Sequence, residues 1–85
     1  MELDELRDKI DSIDTKLVHL FEARMETVAQ IAAYKKAEGV PMRDLARETE
    51  ILKAATDKVD PILAPYTHKL FETLLALSRS YQEVL

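Results

Sequence analysis

The segment ELDELRDKIDSIDTKLVHLFEARMETVAQIAAYKKAE, residues 2–38, contains neither glycine nor proline and decides the fold. Its apolar residues recur at three- and four-residue steps, which predicts one continuous amphipathic helix. The stripe consists of Leu3, Leu6, Ile10, Ile13, Leu17 and Leu20, with Phe21 beside it. Such a helix is ~55 Å long, whereas a compact chain of this length is roughly 30 Å across. We therefore expect a second copy of the chain to cover the surface that one copy leaves exposed.

Two cations interrupt this apolar stripe. Arg24 stands where the next apolar residue is due, and Lys35 follows on the same line after Val28 and Ile31. Burying either cation without a partner costs on the order of several kcal/mol, so each requires a carboxylate. The spacing leaves an internal ion pair and an anionic ligand equally open. Arg7 flanks the stripe, and its spacing fits a charge that covers apolar surface with its stem.

The remainder of the chain predicts two more helices separated by turns. Gly39 is a suitable C-terminal cap for the first helix, and Pro41 prevents its continuation. The segment KVDPILAP, residues 58–65, contains two prolines and marks the second turn. The predicted fold class is all-α, a single domain over 1–85 with helices at about 2–38, 43–57 and 65–84.

Helices 2 and 3 carry polar residues next to their apolar faces. Asp44 is placed to cap helix 2, and Arg47 follows it by three residues, where it could pair with Asp44 or orient Glu48. Glu48 lies in the middle of the apolar side, as the partner of a helix 1 cation or as the acceptor for a ligand hydroxyl. Ser78 and Gln82 are four residues apart at the edge of the helix 3 face, a place where such groups often contact only water.

Composition excludes several classes of protein. Acidic residues outnumber basic ones 16 to 12 and the net charge is −4, which disfavours nucleic acid as a partner. The absence of cysteine excludes disulfides and thiolate metal sites. No apolar run reaches membrane-spanning length, and the acidic N-terminus is unlike a signal peptide, so we expect a cytoplasmic protein. No arrangement of side chains predicts a metal site, a Ser-His-acid triad or a glycine-rich phosphate loop.

Taken together, three stretches carry a family resemblance. They are LRDKIDSIDTKLVHLFEAR at 6–24, PMRDLARE at 41–48 and LFETLLALSRSYQ at 70–82, together with the lysine at position 35. In residue type and in spacing the chain resembles the all-helical chorismate mutases of the AroQ class over nearly its whole length. The resemblance implies an intertwined homodimer with two equivalent sites. It also implies conversion of chorismate to prephenate, in phenylalanine and tyrosine biosynthesis, without a cofactor or a metal.

By position, the resemblance assigns three residues to the two substrate carboxylates. Arg7 would come from the partner chain and bind one carboxylate. Arg24 would bind the other carboxylate, and Ser78 would touch a carboxylate.

The resemblance assigns the remaining site residues to the ether oxygen and the ring hydroxyl. Lys35 would contact the ether oxygen and help to hold a carboxylate, and Gln82 would donate its amide hydrogen to the same oxygen. Glu48 and the backbone near Asp44 would bind the ring hydroxyl, with Arg47 supporting this network. Because Gln82 needs no added proton to act as a donor, activity should not require acid pH for that reason.

Two other functions remain open on the sequence. The same fold could act on isochorismate, a similar dianion, and eliminate pyruvate. Alternatively, the chain could be a non-catalytic helical dimerisation or ligand-binding module in which Arg24, Lys35 and Glu48 form only an internal ion network.

Overall fold

The computed structural model describes residues 1–85, and its fold is all-α with three helices and no strands. The order is α1 (Glu2–Glu38), α2 (Leu45–Asp57), a 3₁₀ turn (Pro61–Leu63) and α3 (Ala64–Val84). The predicted all-α, three-helix fold is therefore confirmed. None of the helices is both long enough and apolar enough to cross a lipid bilayer.

Helix α1 is continuous because its interior contains no residue that breaks a helix and its ends carry matching charges. Acidic residues occupy its first turn and Lys35 and Lys36 its last, as the helix dipole favours. The helix ends at Gly39, which adopts the left-handed conformation with φ 69° and donates its N–H to the Lys35 carbonyl. This ending stops α1 and lets the chain change direction before α2, which packs against α3 and not against α1.

Helix α2 begins at Leu45, two residues after the start used in the predicted range 43–57. Asp44 has an extended backbone, φ −131° and ψ 93°, and its carboxylate accepts a hydrogen bond from the Arg47 N–H at 3.0 Å. Asp44 is thus the N-cap rather than a helical residue. The cap fixes the first turn of α2, which carries Arg47 and Glu48.

The second turn contains an element absent from the predicted helix ranges. Asp60 accepts a hydrogen bond from the Ile62 N–H at 3.0 Å and caps a short 3₁₀ turn that begins at Pro61. Helix α3 then starts at Ala64, with Pro65 in its first turn, where a missing N–H costs nothing. The turn returns the chain so that α3 packs against both α2 and α1.

A single chain encloses almost no core. Five of 85 residues are buried, namely Val28, Ala32, Ala55, Leu75 and Ser78. All five lie in the C-terminal half of α1 or in α2 and α3, whereas residues 2–23 of α1 are exposed, including its apolar stripe. The chain measures 56 × 26 × 16 Å, and its radius of gyration is 16.0 Å against roughly 12 Å for a compact chain of this length. The described chain therefore leaves a large apolar surface unpartnered.

Candidate functional site

A cavity of about 280 Å³ lies where the C-terminal half of α1, the start of α2 and the C-terminal half of α3 meet. Apolar side chains form its floor, among them Val28 and Leu75, which are buried. Seven of the eight residues predicted for the site line this cavity: Arg24, Lys35, Asp44, Arg47, Glu48, Ser78 and Gln82. The structure thus brings together residues that are separated by up to 58 positions in sequence.

Arg24, which lines the cavity, is held in place by a hydrogen bond to α3. Its Nη1 donates a hydrogen bond to the Ser78 hydroxyl oxygen, and Ser78 donates its own hydrogen to the Leu74 carbonyl at 2.8 Å. The guanidinium has five N–H donors, so one bond to Ser78 leaves the others available to an anion. Ser78, predicted to touch a substrate carboxylate, contacts Arg24 in this structure.

Lys35 is anchored at the opposite end of the cavity. Its Nζ donates to the Met42 carbonyl at 2.9 Å, in the loop that joins α1 to α2. An ammonium group has three donors, so two remain free. Neither Lys35 nor Arg24 has a carboxylate within 4.0 Å; their hydrogen-bond partners are a carbonyl and a hydroxyl.

The two carboxylates of the cavity are already engaged with groups other than these cations. Asp44 accepts the Arg47 backbone N–H as the cap of α2, and the Arg47 guanidinium extends to Glu50 at 3.3 Å. The Arg47 guanidinium forms no ion pair with the Glu48 carboxylate, although both residues line the cavity.

Glu48 pairs with a residue that was not among the predicted site residues. Arg79 Nη1 donates to Glu48 Oε1 at 2.7 Å, and Arg43 Nε lies 3.6 Å from Glu48 Oε2. The sequence suggested a helix 1 cation or a ligand hydroxyl as the partner, and the observed partner is on α3. A signal was present, because Arg79 lies four residues after Leu75 and three before Gln82, on the face that was predicted to meet the site.

The charges that line the cavity do not cancel. Four cations (Arg24, Lys35, Arg47 and Arg79) stand against two carboxylates (Asp44 and Glu48). The cavity therefore has a surplus of two positive charges. Arg24 and Lys35 are the two lining cations that have no carboxylate partner. A cavity with an apolar floor and fixed N–H donors at opposite ends is suited to a compact dianion.

Arg7 is the predicted site residue that does not line the cavity. It lies 17 residues before Arg24 on the same helix, which is about 25 Å along the axis, beyond the reach of an arginine side chain. Arg7 also lies on the exposed stretch of α1. Arg7 could therefore contact such a cavity only in another copy of the chain.

Residues 6–83 match the family model described as chorismate mutase type II. The chain belongs to this family. It is similar to the T-protein of Haemophilus influenzae, with 40% identity over 52 residues, which cover 61% of this chain and 14% of that protein. It is also similar to the bifunctional chorismate mutase/prephenate dehydratases of Enterobacter agglomerans (33% identical) and Escherichia coli K12 (30% identical), each over 82 residues, 94% of this chain and 21% of theirs.

The chain spans about a fifth or less of the length of the curated relatives that it matches. No solved structure matches it significantly. The resemblance drawn from the residues and the family match agree over nearly the whole chain.

Proposed function

We propose that the chain catalyses the conversion of chorismate to prephenate as a homodimer with two equivalent sites. The observation that carries this proposal is the pairing pattern in the cavity. Arg24 and Lys35 face it without carboxylate partners, while both carboxylates are engaged elsewhere. Membership of the type II chorismate mutase family supports chorismate, a dianion, as the missing partner.

The reaction needs positioning rather than a nucleophile. In the intramolecular [3,3] rearrangement the ether C–O bond breaks while a C–C bond forms, and negative charge grows on the ether oxygen. A site accelerates it by holding the reactive conformer and by placing donors at that oxygen. Cations held in fixed positions perform both tasks.

In the proposed complex, Arg24 binds one substrate carboxylate through the donors that Ser78 leaves free. Lys35 uses its two free N–H groups for the ether oxygen and a carboxylate. Gln82 lines the same cavity and donates its amide hydrogen to the ether oxygen. Two donors on the developing oxyanion are the main source of rate acceleration in this mechanism.

The ring hydroxyl is assigned to the α2 end of the cavity. Glu48 accepts the hydroxyl hydrogen, and the backbone near the Asp44 cap provides the second contact. Arg47 supports this carboxylate network from the same turn of α2. Asp44 caps the first turn of α2, which contains Glu48. The cap therefore helps to fix the position of Glu48 relative to the substrate ring.

The homodimer is supported by the surface that one chain leaves uncovered. The accessible surface is 6877 Å², about a third more than the roughly 5,100 Å² typical of a compact monomer of 9.7 kDa. The stripe residues Leu3, Leu6, Ile10, Ile13 and Leu17 are each between 42% and 55% exposed. An excess of this size matches the area that one subunit buries in an obligate dimer.

We assign Arg7 to the site of the partner chain. It flanks the exposed stripe that would form the dimer contact, and it is too far from the cavity of its own chain. A two-fold dimer is isologous, so each chain would supply one Arg7 to the other. The added cation would complete the binding of the second substrate carboxylate.

The decisive experiment is to incubate purified protein with chorismate, follow substrate loss and identify the product. Prephenate formation is expected, and Lys35→Ala or Arg24→Ala should lower kcat/KM by ~10²-fold or more, as expected for loss of one charge-stabilising donor. Lys36→Ala is the matched control, because this exposed lysine is adjacent to Lys35 but does not line the cavity.

Two results would contradict the proposal. A folded dimer that leaves chorismate intact would redirect the assay to isochorismate, and loss of pyruvate from that substrate would identify a lyase. Turnover of neither compound would leave a ligand-binding or dimerisation module. Near-native efficiency of folded Lys35→Ala would remove Lys35 from the mechanism.

A further inference from the structure

Arg79 has no role in the mechanism described above, yet it makes the shortest ion pair in the site. Its Nη1 lies 2.7 Å from Glu48 Oε1, and the two side chains are only 33% and 19% exposed. The pair links α3 to α2 across 31 residues of sequence. A charge-assisted hydrogen bond of this length between partly buried groups fixes the carboxylate much more firmly than an exposed ion pair does.

The two oxygens of Glu48 are not equivalent. Oε1 accepts the hydrogen bond from Arg79, whereas Oε2 faces the Arg43 Nε at 3.6 Å, which is longer than a hydrogen bond. Arg43 is itself 57% exposed, so water weakens its attraction for the carboxylate. Oε2 therefore retains its capacity to accept a hydrogen bond from a ligand.

Arg79 also changes the charge that a dianion would meet. An ionised Glu48 without a counter-charge would repel a dianion in the cavity, and the attached guanidinium cancels that repulsion. In addition, Arg79 lines both this cavity and a neighbouring one of about 220 Å³, as Met42 and Gln82 also do. Removing the Arg79 side chain would remove the hydrogen bond that holds Glu48 Oε1.

We propose that Arg79 is a positioning residue for recognition of the substrate's ring hydroxyl. By holding Oε1 of Glu48, it presents Oε2 to the hydroxyl and makes a hydroxylated cyclic dianion the preferred substrate. The inference rests on the proposed function, because Glu48 is assigned there to the ring hydroxyl. It adds a residue that acts through Glu48 and does not itself touch the substrate.

The test compares two substrates, chorismate and an analogue whose ring hydroxyl is replaced by hydrogen. For wild type, kcat/KM should be higher with chorismate. Arg79→Met should lower kcat/KM for chorismate by about 10- to 100-fold, the scale of misplacing a positioning group, and should change the value for the analogue much less. Arg79→Lys should recover part of the preference, because it restores the charge without the planar fork.

Arg43→Met is the matched control, since it removes the more exposed and more distant arginine from the same carboxylate. Its preference for chorismate should stay within about twofold of wild type, as for a weak surface pair. In a Glu48→Gln background, Arg79→Met should have little further effect on the preference, because the two residues act as one unit.

Equal losses on the two substrates would overturn the proposal and make Arg79 a structural residue. A loss no greater than that of Arg43→Met would overturn it as well. If Arg79→Met does not fold, as judged by thermal unfolding, the comparison of Arg79→Lys with wild type decides, and an unchanged preference counts against the proposal. If wild type turns over neither compound, the proposed function fails first, and this inference fails with it.

Discussion

Arg24 of α1 is held by Ser78 of α3, 54 residues later in the chain, through a hydrogen bond from Nη1 to the serine hydroxyl oxygen. The hydroxyl hydrogen is itself donated to the Leu74 carbonyl at 2.8 Å, so the oxygen lone pairs face Arg24. Ser78 is buried. The contact fixes a flexible cation before any ligand binds. This lowers the conformational entropy that is lost on binding.

The first prediction concerns this contact. Ser78→Ala should lower kcat/KM for chorismate by about tenfold, because a hydrogen bond to a charged group contributes on the order of 1.5 kcal/mol or more. Steady-state kinetics provide the measurement, and Ser80→Ala, at an exposed position two residues further along, serves as the control. Wild-type kinetics in folded Ser78→Ala would mean that Arg24 is positioned by other groups.

The second prediction concerns the pH dependence of the donor at position 82. Gln82 donates its amide hydrogen at any pH, whereas a carboxyl group in Gln82→Glu donates only when protonated, and an ordinary glutamate has a pKa of ~4.3. The activity of Gln82→Glu should therefore rise as the pH falls towards that range. Wild type should lack this rise.

A pH-rate profile between about pH 4.5 and 8 measures the effect, well below the range where lysine titrates. Glu83→Gln is the control, because it changes an adjacent exposed charge and should keep the wild-type profile. If Gln82→Glu is equally active across this range, the side chain at position 82 does not donate to the ether oxygen.

The third prediction tests whether each site is shared between chains. Arg7→Ala and Lys35→Ala should each lose most of the activity alone, ~10²-fold or more, but their mixture should regain activity after subunit exchange. In the mixed dimer, one site has Lys35 from one chain and Arg7 from the other. With random exchange, about a quarter of all sites should work.

A mixture of Arg24→Ala with Lys35→Ala is the control for recovery that does not depend on a site shared between chains. Both residues lie in the cavity of a single chain, so every site of that mixed dimer lacks one of them. This mixture should not regain activity. Failure of the Arg7→Ala mixture to recover, with exchange demonstrated by mass spectrometry, would exclude Arg7 as a residue supplied by the partner.

The fourth prediction concerns the exposed stripe of α1. Ile13→Lys should abolish the dimer and most of the folded population, because burying a lysine without a partner costs on the order of several kcal/mol. Sedimentation and thermal unfolding at several protein concentrations would measure this effect. For wild type, the Tm should increase with concentration, as linkage to association requires.

Thr15→Lys is the control, since Thr15 is exposed and lies on the side of α1 away from the stripe. It should leave assembly unchanged. A monomeric wild type with a Tm independent of concentration would contradict the dimer, and with it the shared site.

The helices themselves follow from local sequence. An uninterrupted α1 that ends before Gly39, and a second helix capped by Asp44, depend on hydrogen bonds between residues within four positions of each other. The two-residue difference at the start of α2 arises because Asp44 could be either a cap or a first helical residue. Its extended backbone decides between them.

The sequence by itself determined that the chain is all-α, that α1 is too long for one chain to cover and that Arg24 and Lys35 interrupt its apolar stripe. The tertiary structure decided which charges pair. Glu48 could have met a cation of α1, but it meets Arg79, and Arg24 meets the Ser78 hydroxyl. Helix capping and periodicity involve near neighbours, so sequence spacing specifies them. A pair that joins residues 31 or 54 positions apart depends on how three helices pack, which spacing along one helix does not specify.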